Sequence, residues 1–227
     1  MKIVFLNIWH ARRIKEVSEF IKEHRETTDV FCFQEAFDTT LKLGKELLND
    51  FQVYTAGKTL NEEEDFSLAT FVKNTSQVLN CEAILQDSLT EGMGLNTTVE
   101  HKGEIYNICN VHGVSRPGNK LDTPFRITQT KAFIDFYRNN PHYTIIGGDF
   151  NLEKNTESVG LFSDNGYEDL INSFQIKTTR NRLSWEKYPD SKQYYSDYVF
   201  VNHGLVPQNF QVPNNEVSDH LPLLVEV

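Results

Sequence analysis

No stretch of this chain comes near the ~18 consecutive apolar residues that a membrane-crossing helix needs, so a helical span is excluded. Cysteine is scarce. Cys32, Cys81 and Cys109 are an odd number without CxxC spacing, which excludes a disulfide framework and a cysteine-based zinc site. They suit a reducing compartment, and each lies in an apolar stretch, so a buried, inert thiol is expected at all three. Positive charge is in deficit: 22 Lys+Arg stand against 32 Asp+Glu, a net charge of −10. That balance argues against a grip on long nucleic acid by bulk charge. It leaves open an enzyme that meets a phosphate through a bound cation, because the ion reverses the local field. Repeats, low-complexity tracts and obvious linkers are absent too. The opening Met1–Leu6 has the apolar look of an export signal, but Asn7 and the Arg12-Arg13 pair close it too early. A cytoplasmic protein with its first strand starting almost at residue 2 is expected.

The 227 residues are 39% hydrophobic, 12% aromatic and 24% charged, a globular composition. One domain spanning 1–227 is expected, exposing roughly 10,600 Å² and burying about seven tenths of the open chain's surface. Buried strands are expected at 2–8 and 29–34, with an amphipathic helix over 11–26 carrying Ile14, Val17, Phe20 and Ile21 on one face. A helix is expected over 39–49. Short strands are expected at 51–56, 67–73, 77–86, 95–101 and 104–112, then at 143–146, 198–201 and 221–227. Pro124 with Thr123 as cap opens a helix to about Arg138, and 157–165 reads as helical. Residues 172–196 read as irregular, and the acidic run Glu62–Asp65 as a solvated loop. The mixed order points to an α/β or α+β fold with two packed sheets and helices outside.

The chemistry sits at strand ends. Asn7, Glu35, His112, Asp149 with Asn151, Asp197, and Asp219 with His220 each terminate or open an apolar run. Burying such groups singly costs several kcal/mol, so one mutually satisfied cluster is expected. Glu35 is the best hard-cation ligand of the set, since Mg²⁺ takes one or two carboxylates plus waters and phosphate oxygens. Asn7 reads equally as a turn or capping side chain. His112 is either a satisfied core histidine or a donor to a phosphate oxygen. Two residues apart in extended chain, Asp149 and Asn151 face one side while Phe150 enters the core. Gly147 and Gly148 permit close approach of backbone or substrate. Asp197 and His220 form a carboxylate–imidazole pair only if the fold joins them, leaving one ring nitrogen to take a proton from water.

Taken in order, LNIW (6–9), QE (34–35), NVHG (110–113), GGDFN (147–151), SDYVFV (196–201) and SDHLPLLVEV (218–227) resemble the endonuclease/exonuclease/phosphatase superfamily. Its members include deoxyribonuclease I, exonuclease III, neutral sphingomyelinases and inositol polyphosphate phosphatases. The resemblance implies a four-layer sandwich, two central sheets between helices, and a Mg²⁺- or Mn²⁺-dependent phosphoesterase. Under it, Glu35 is the main metal ligand with Asn7 beside it, and Asp219 helps hold the ion or His220. His220 is general base or phosphate contact, oriented by Asp197. Asp149 positions the attacking water, and Asn151 and His112 donate to phosphate oxygens. Apurinic endonucleases carry an acidic residue two positions past the first Asn; here it is Trp9, which either packs in the core or stacks on a substrate ring. Arg126 and Gln129 resemble an R-x-x-Q element expected to be structural or to support the site from behind.

Substrate residues are expected in two loops. Arg116 and Lys120, after the His112 strand, are placed to contact flanking phosphates. The basic, aromatic stretch 177–195, which includes Arg182 and Trp185, has the make-up of a surface for single strands or nucleotides, and equally of a loop covering a core. The leading reading is a phosphodiesterase or nuclease on nucleic acid or a nucleotide. The alternatives are a phosphatase or phosphodiesterase on a small molecule or lipid head group, and a silent binding module. A monomer is expected.

Overall fold

The structure, a computed structural model, describes residues 1–60, 64–187, 189–202 and 204–227. Twelve strands are described, forming two six-stranded sheets. The first sheet has the order β11 (Asn209–Gln211), β12 (Leu223–Glu226), β1 (Lys2–Asn7), β2 (Val30–Gln34), β4 (Glu64–Lys73), β3 (Phe51–Leu60). The second runs β5 (Gln77–Ile84), β6 (Met93–His101), β7 (Glu104–His112), β8 (Tyr143–Asp149), β10 (Asp197–Asn202), β9 (Tyr167–Asp169). Each sheet has one parallel pair at its centre, β1 with β2 and β7 with β8, and antiparallel neighbours elsewhere. The expected two-sheet sandwich is the observed architecture.

Period-two alternation explains how the layers form. From β1 and β2, Ile3, Phe5, Val30 and Cys32 enter the large core shared with the second sheet. The residues between them, Val4, Leu6, Phe31 and Phe33, face the other way. There they pack on Val17, Phe20 and Ile21 of helix α1 (Ile14–His24), near α2 (Asp38–Leu47). On the far side, α3 (Pro124–Tyr137) and α4 (Glu157–Asp164) supply Phe133, Ile134, Val159 and Phe162 to the shared core. Gly147 has a defined task. A Cβ there would stand 2.7 Å from the Phe5 ring of the facing sheet. The sheets therefore close on a residue without a side chain; where a backbone or a substrate is expected to come close, the neighbour at Gly147 is the Phe5 ring. The molecule exposes 10261 Å², near the scaling expectation.

Several elements differ from expectation. β3 and β4 are longer than the runs expected at 51–56 and 67–73, because Leu60 and Phe66 find a small core with Leu68, Met93 and Leu95. That pairing draws Glu64 and Asp65 into a strand, while Glu62 and Glu63 lie outside the described residues. The 172–196 stretch is not wholly irregular: α5 (Leu170–Ser173) runs into it and α6 (Arg182–Lys187) lies within it. Thr123 caps α3, its side chain accepting from the Arg126 amide, as Pro124 at the first turn implied. Cys32 and Cys109 are buried, but Cys81 is only partly so. Burial pushes the Cys109 thiol up to about 12. No helix among the described residues is long and apolar enough to cross a membrane.

Candidate active site

Strand register alone gathers the strand-end groups. Asn7 pairs with Gln34 across β1 and β2, so Glu35 follows directly beside Asn7. Asp149 is flanked by His112 on one side and Asp197 on the other. A short bridge between Arg180 and His220 brings the two remaining groups in. Because the sheets face each other, these ends meet at one rim. Beneath them a polar tie crosses the sheets. Gln34 Nε2 donates to Asn110 Oδ1 at 2.6 Å, and Asn110 Nδ2 donates to the Phe33 and Ala69 carbonyls.

Asp149 is the hub. Its Oδ1 accepts from Ser196 Oγ at 2.6 Å and from the Asn151 amide at 2.9 Å. Its Oδ2 accepts from Asn7 Nδ2 at 3.0 Å and lies 3.7 Å from His220 Nε2 and 3.9 Å from His112 Nε2. The same Asn7 amide donates to Glu35 Oε1 at 3.1 Å, so Glu35 and His220 belong to one connected cluster. His220 Nδ1 lies 2.9 Å from Asp197 Oδ1, which fixes the ring and leaves Nε2 toward Asp149. Arg180 Nη1 contacts the same Nε2, and its Nη2 donates to Asp219 Oδ2 at 2.8 Å.

Charge sets the protonation states. Burial opposes ionisation of Asp149, but His220, Lys120 and His112 hold it well below the usual carboxylate range. Burial opposes it at Glu35 also; there His10, whose Nε2 lies 3.0 Å from Oε2, and His112 bring the carboxyl down to about 2. Burial and Arg180 push His220 toward its neutral form, and the carboxylates of Asp197, Asp149 and Asp219 outweigh them, so its pKa is raised. Several positions are locally constrained: Trp9, His10, Glu35, Lys120 and Asn151 all hold positive φ, between 50° and 58°.

The donor set suits a hard cation. Glu35 Oε2 is buried with His10 Nε2 beside it at 3.0 Å, and Glu35 Oε1 and Asp149 Oδ2 both accept from Asn7 Nδ2, so the two carboxylates face one point. Asp149, Asp197 and His220 also offer ligand atoms within 4.8 Å of one another. Asp197 is committed to the His220 ring, so Glu35 with Asp149 is the better-matched pair; Asn7 turns its Oδ1 to the Trp9 amide and would join them as a ligand on turning its side-chain amide over.

The cluster therefore unites Asn7, Glu35, His112, Asp149, Asn151, Asp197 and His220. Asp219 is adjacent, with Arg180 as its partner. Strand β8 stops at Asp149, so Asn151 is presented by a left-handed turn and not by a continued strand; Phe150 is buried as expected. Trp9 lines a cleft of about 160 Å³ with Arg180, Trp185 and Asp219, instead of packing in the core. Arg116 is exposed and lines a separate groove with Leu60, Pro117 and Phe125. Lys120 is no surface contact. It is buried behind the site, its Nζ 2.6 Å from Asn151 Oδ1, because the loop carrying it folds inward. Arg182 is exposed and paired with Glu216 and Glu186, which take its charge. His10, Arg180 and Ser196 were missed. Ser196 had a signal, since a hydroxyl opens the strand that starts at Asp197; Arg180 was lost among the basic residues of 177–195.

The sequence matches the model of the Endonuclease/Exonuclease/phosphatase family over residues 4–220. The chain belongs to this family. Its members are phosphoesterase hydrolases. Solved structures agree at the level of fold. An endonuclease/exonuclease/phosphatase from Bacteroides vulgatus superposes with TM-score 0.79 at 16% identity, covering 99% of this chain and 97% of that one. The mannosyl-6-phosphatase Bt3783 of Bacteroides thetaiotaomicron gives 0.75 at 17% identity, covering 100% and 98%. The human Nocturnin catalytic domain, bound to a sulfate anion, gives 0.73 at 20% identity, covering 99% and 93%. No curated protein matches the chain.

Proposed function

We propose that residues 1–227 act as one catalytic unit, a Mg²⁺- or Mn²⁺-dependent phosphoesterase. The observation that carries this is Asp149 Oδ2, which faces Asn7, His112 and His220 at once, with Asn7 linking it to Glu35. Glu35 and Asn7, with Asp149, would hold the cation, which when bound supplies positive charge to the phosphoryl oxygens. His220, held by Asp197, takes a proton from water, and Asp149 orients that water toward phosphorus. The new P–O bond forms as the ester P–O bond breaks, and the leaving oxygen departs as a hydroxyl with the proton that water gave up. His112 and Asn151 hydrogen-bond the phosphoryl oxygens, preorganised donors of the kind that carry much of the rate.

The substrate is a short phosphodiester of a nucleotide or nucleic acid. The cleft between Trp9 and Trp185, beside Arg180, supports it with two flat rings next to a guanidinium. A phosphorylated small molecule is the second reading. It draws on the net charge of −10 and on Arg182 being engaged by acidic neighbours.

The test is hydrolysis of bis-p-nitrophenyl phosphate, then of single strands, nucleotides, sugar phosphates and lipid head groups, with Mg²⁺ and Mn²⁺. The wild type is expected to turn over, to stop with chelator, and to lose activity as Asp149→Asn. A wild type silent across the whole panel overturns the proposal.

A further inference from the structure

We infer that Lys120 is a positioning residue: its ammonium fixes the side-chain amide of Asn151 and the hydroxyl of Ser196, and through them the geometry of Asp149. The inference rests on the proposed phosphoesterase reading.

Lys120 Nζ lies 2.6 Å from Asn151 Oδ1 and 3.0 Å from Ser196 Oγ, both contacts buried. An ammonium has three N–H donors and no acceptor. Direction then follows for the charged amine. Asn151 must turn its oxygen to Lys120 and its nitrogen away. That nitrogen donates to the Gly113 carbonyl at 2.9 Å, leaving one N–H of the amide to offer a phosphoryl oxygen. A flipped amide would set N–H against N–H at one end and oxygen against oxygen at the other. Ser196, accepting from Lys120, must spend its own proton on Asp149 Oδ1 at 2.6 Å. With the Asn151 amide on the same atom, Oδ1 is occupied and Oδ2 is the oxygen left for Asn7 and the histidines. One cation thus orients two groups of the site.

The chain goes to some length to hold it there. Lys120 sits at φ 58 in the loop between β7 and α3. Arg126, fully buried, clamps that loop by donating to the carbonyls of Val114, Ser115, Pro117 and Leu121. The Lys120 carbonyl accepts from Glu153 N at 2.8 Å. Burying an ammonium costs several kcal/mol before its partners offset it. A lysine serving only to hold the loop would need no contact with Asn151 or Ser196.

The test has an activity arm and an arm that needs none. Lys120→Met is expected to lower kcat about 10–100-fold, as groups that orient a site's ligands do, with KM within about twofold. Combined with Asn151→Ala and Ser196→Ala together, it should add no further loss. Losses that multiply, or an unchanged kcat beside a lowered melting temperature, assign Lys120 a stabilising role and overturn the proposal. In the substrate-free protein, the two amide protons of Asn151 are identified by their disappearance in Asn151→Ala. They should be distinct in wild type and should shift or merge in Lys120→Met. Should Lys120→Met not fold, the wild-type Lys120 ammonium answers instead. Its protons should exchange slowly with water and shift in Ser196→Ala, and free exchange overturns the proposal. These spectra read Lys120 even if no phosphate ester is hydrolysed, so the two readings fail separately.

Discussion

The two sheets are built alike and equipped differently. Each has six strands around one parallel pair, and each parallel pair ends at the same rim. At the first sheet's rim stand Asn7 and Glu35, oxygen-bearing groups with little proton chemistry between them. At the second stand His112, Asp149 and Asp197, with His220, from the segment leading into β12 of the first sheet, laid against Asp197. Under the proposed function the two rims would divide the work: Asn7 and Glu35 would collect a cation, the groups around Asp197 would move protons, and Asp149 touches both. Duplicate architecture gives two rims, and separate side chains would give them separate tasks.

The division can be broken most directly at its two ends. His220→Ala is expected to lose about a hundred- to ten-thousand-fold in turnover while still binding Mn²⁺ in a calorimetric titration. Glu35→Ala should lose turnover and Mn²⁺ binding together. If both variants lose the ion equally, the sheets do not divide the work. Next in size is the seam between the sheets. Phe5→Ala removes the ring seated on Gly147 and should cost about 3–5 kcal/mol in chemical denaturation, whereas a cost under about 1 kcal/mol would mean that the sheets do not depend on that contact.

A smaller effect is expected in acid. Glu35 is held at about 2 in the fold, below its ordinary value, so its contribution is present above the unfolded value. That contribution is lost as pH falls from about 5 toward 2. Without metal, Glu35→Gln should flatten the acid end of the stability profile; an unchanged profile would place the sensitivity elsewhere. The smallest effect is at Arg182. Its charge is spent on Glu216 and Glu186, so Arg182→Ala should leave turnover and melting temperature unchanged. A raised KM would restore it as a substrate contact.

Much of this was legible because strand ends carry information. An apolar run that stops at Asn, Glu, His or Asp names a buried rim, and strand register then makes neighbours of Asp149, His112 and Asp197. What escaped lies where no period exists. β9 and β11 have three residues each, too short for alternation to register. Arg116 and Lys120 looked equivalent, two cations in one polar loop. Only the Arg126 clamp turns one inward and leaves the other in water. Arg180 reaches His220 through an isolated bridge between distant segments, for which a linear sequence has no marker.

The left-handed backbone at the rim has a consequence for how this molecule can change. Of the nine described non-glycine residues with positive φ, five are Trp9, His10, Glu35, Lys120 and Asn151. Glycine at any of them would relieve strain and erase a working side chain. The rim therefore trades backbone ease for side chains, and Glu35→Gly or Asn151→Gly would give an easier backbone around an incomplete site.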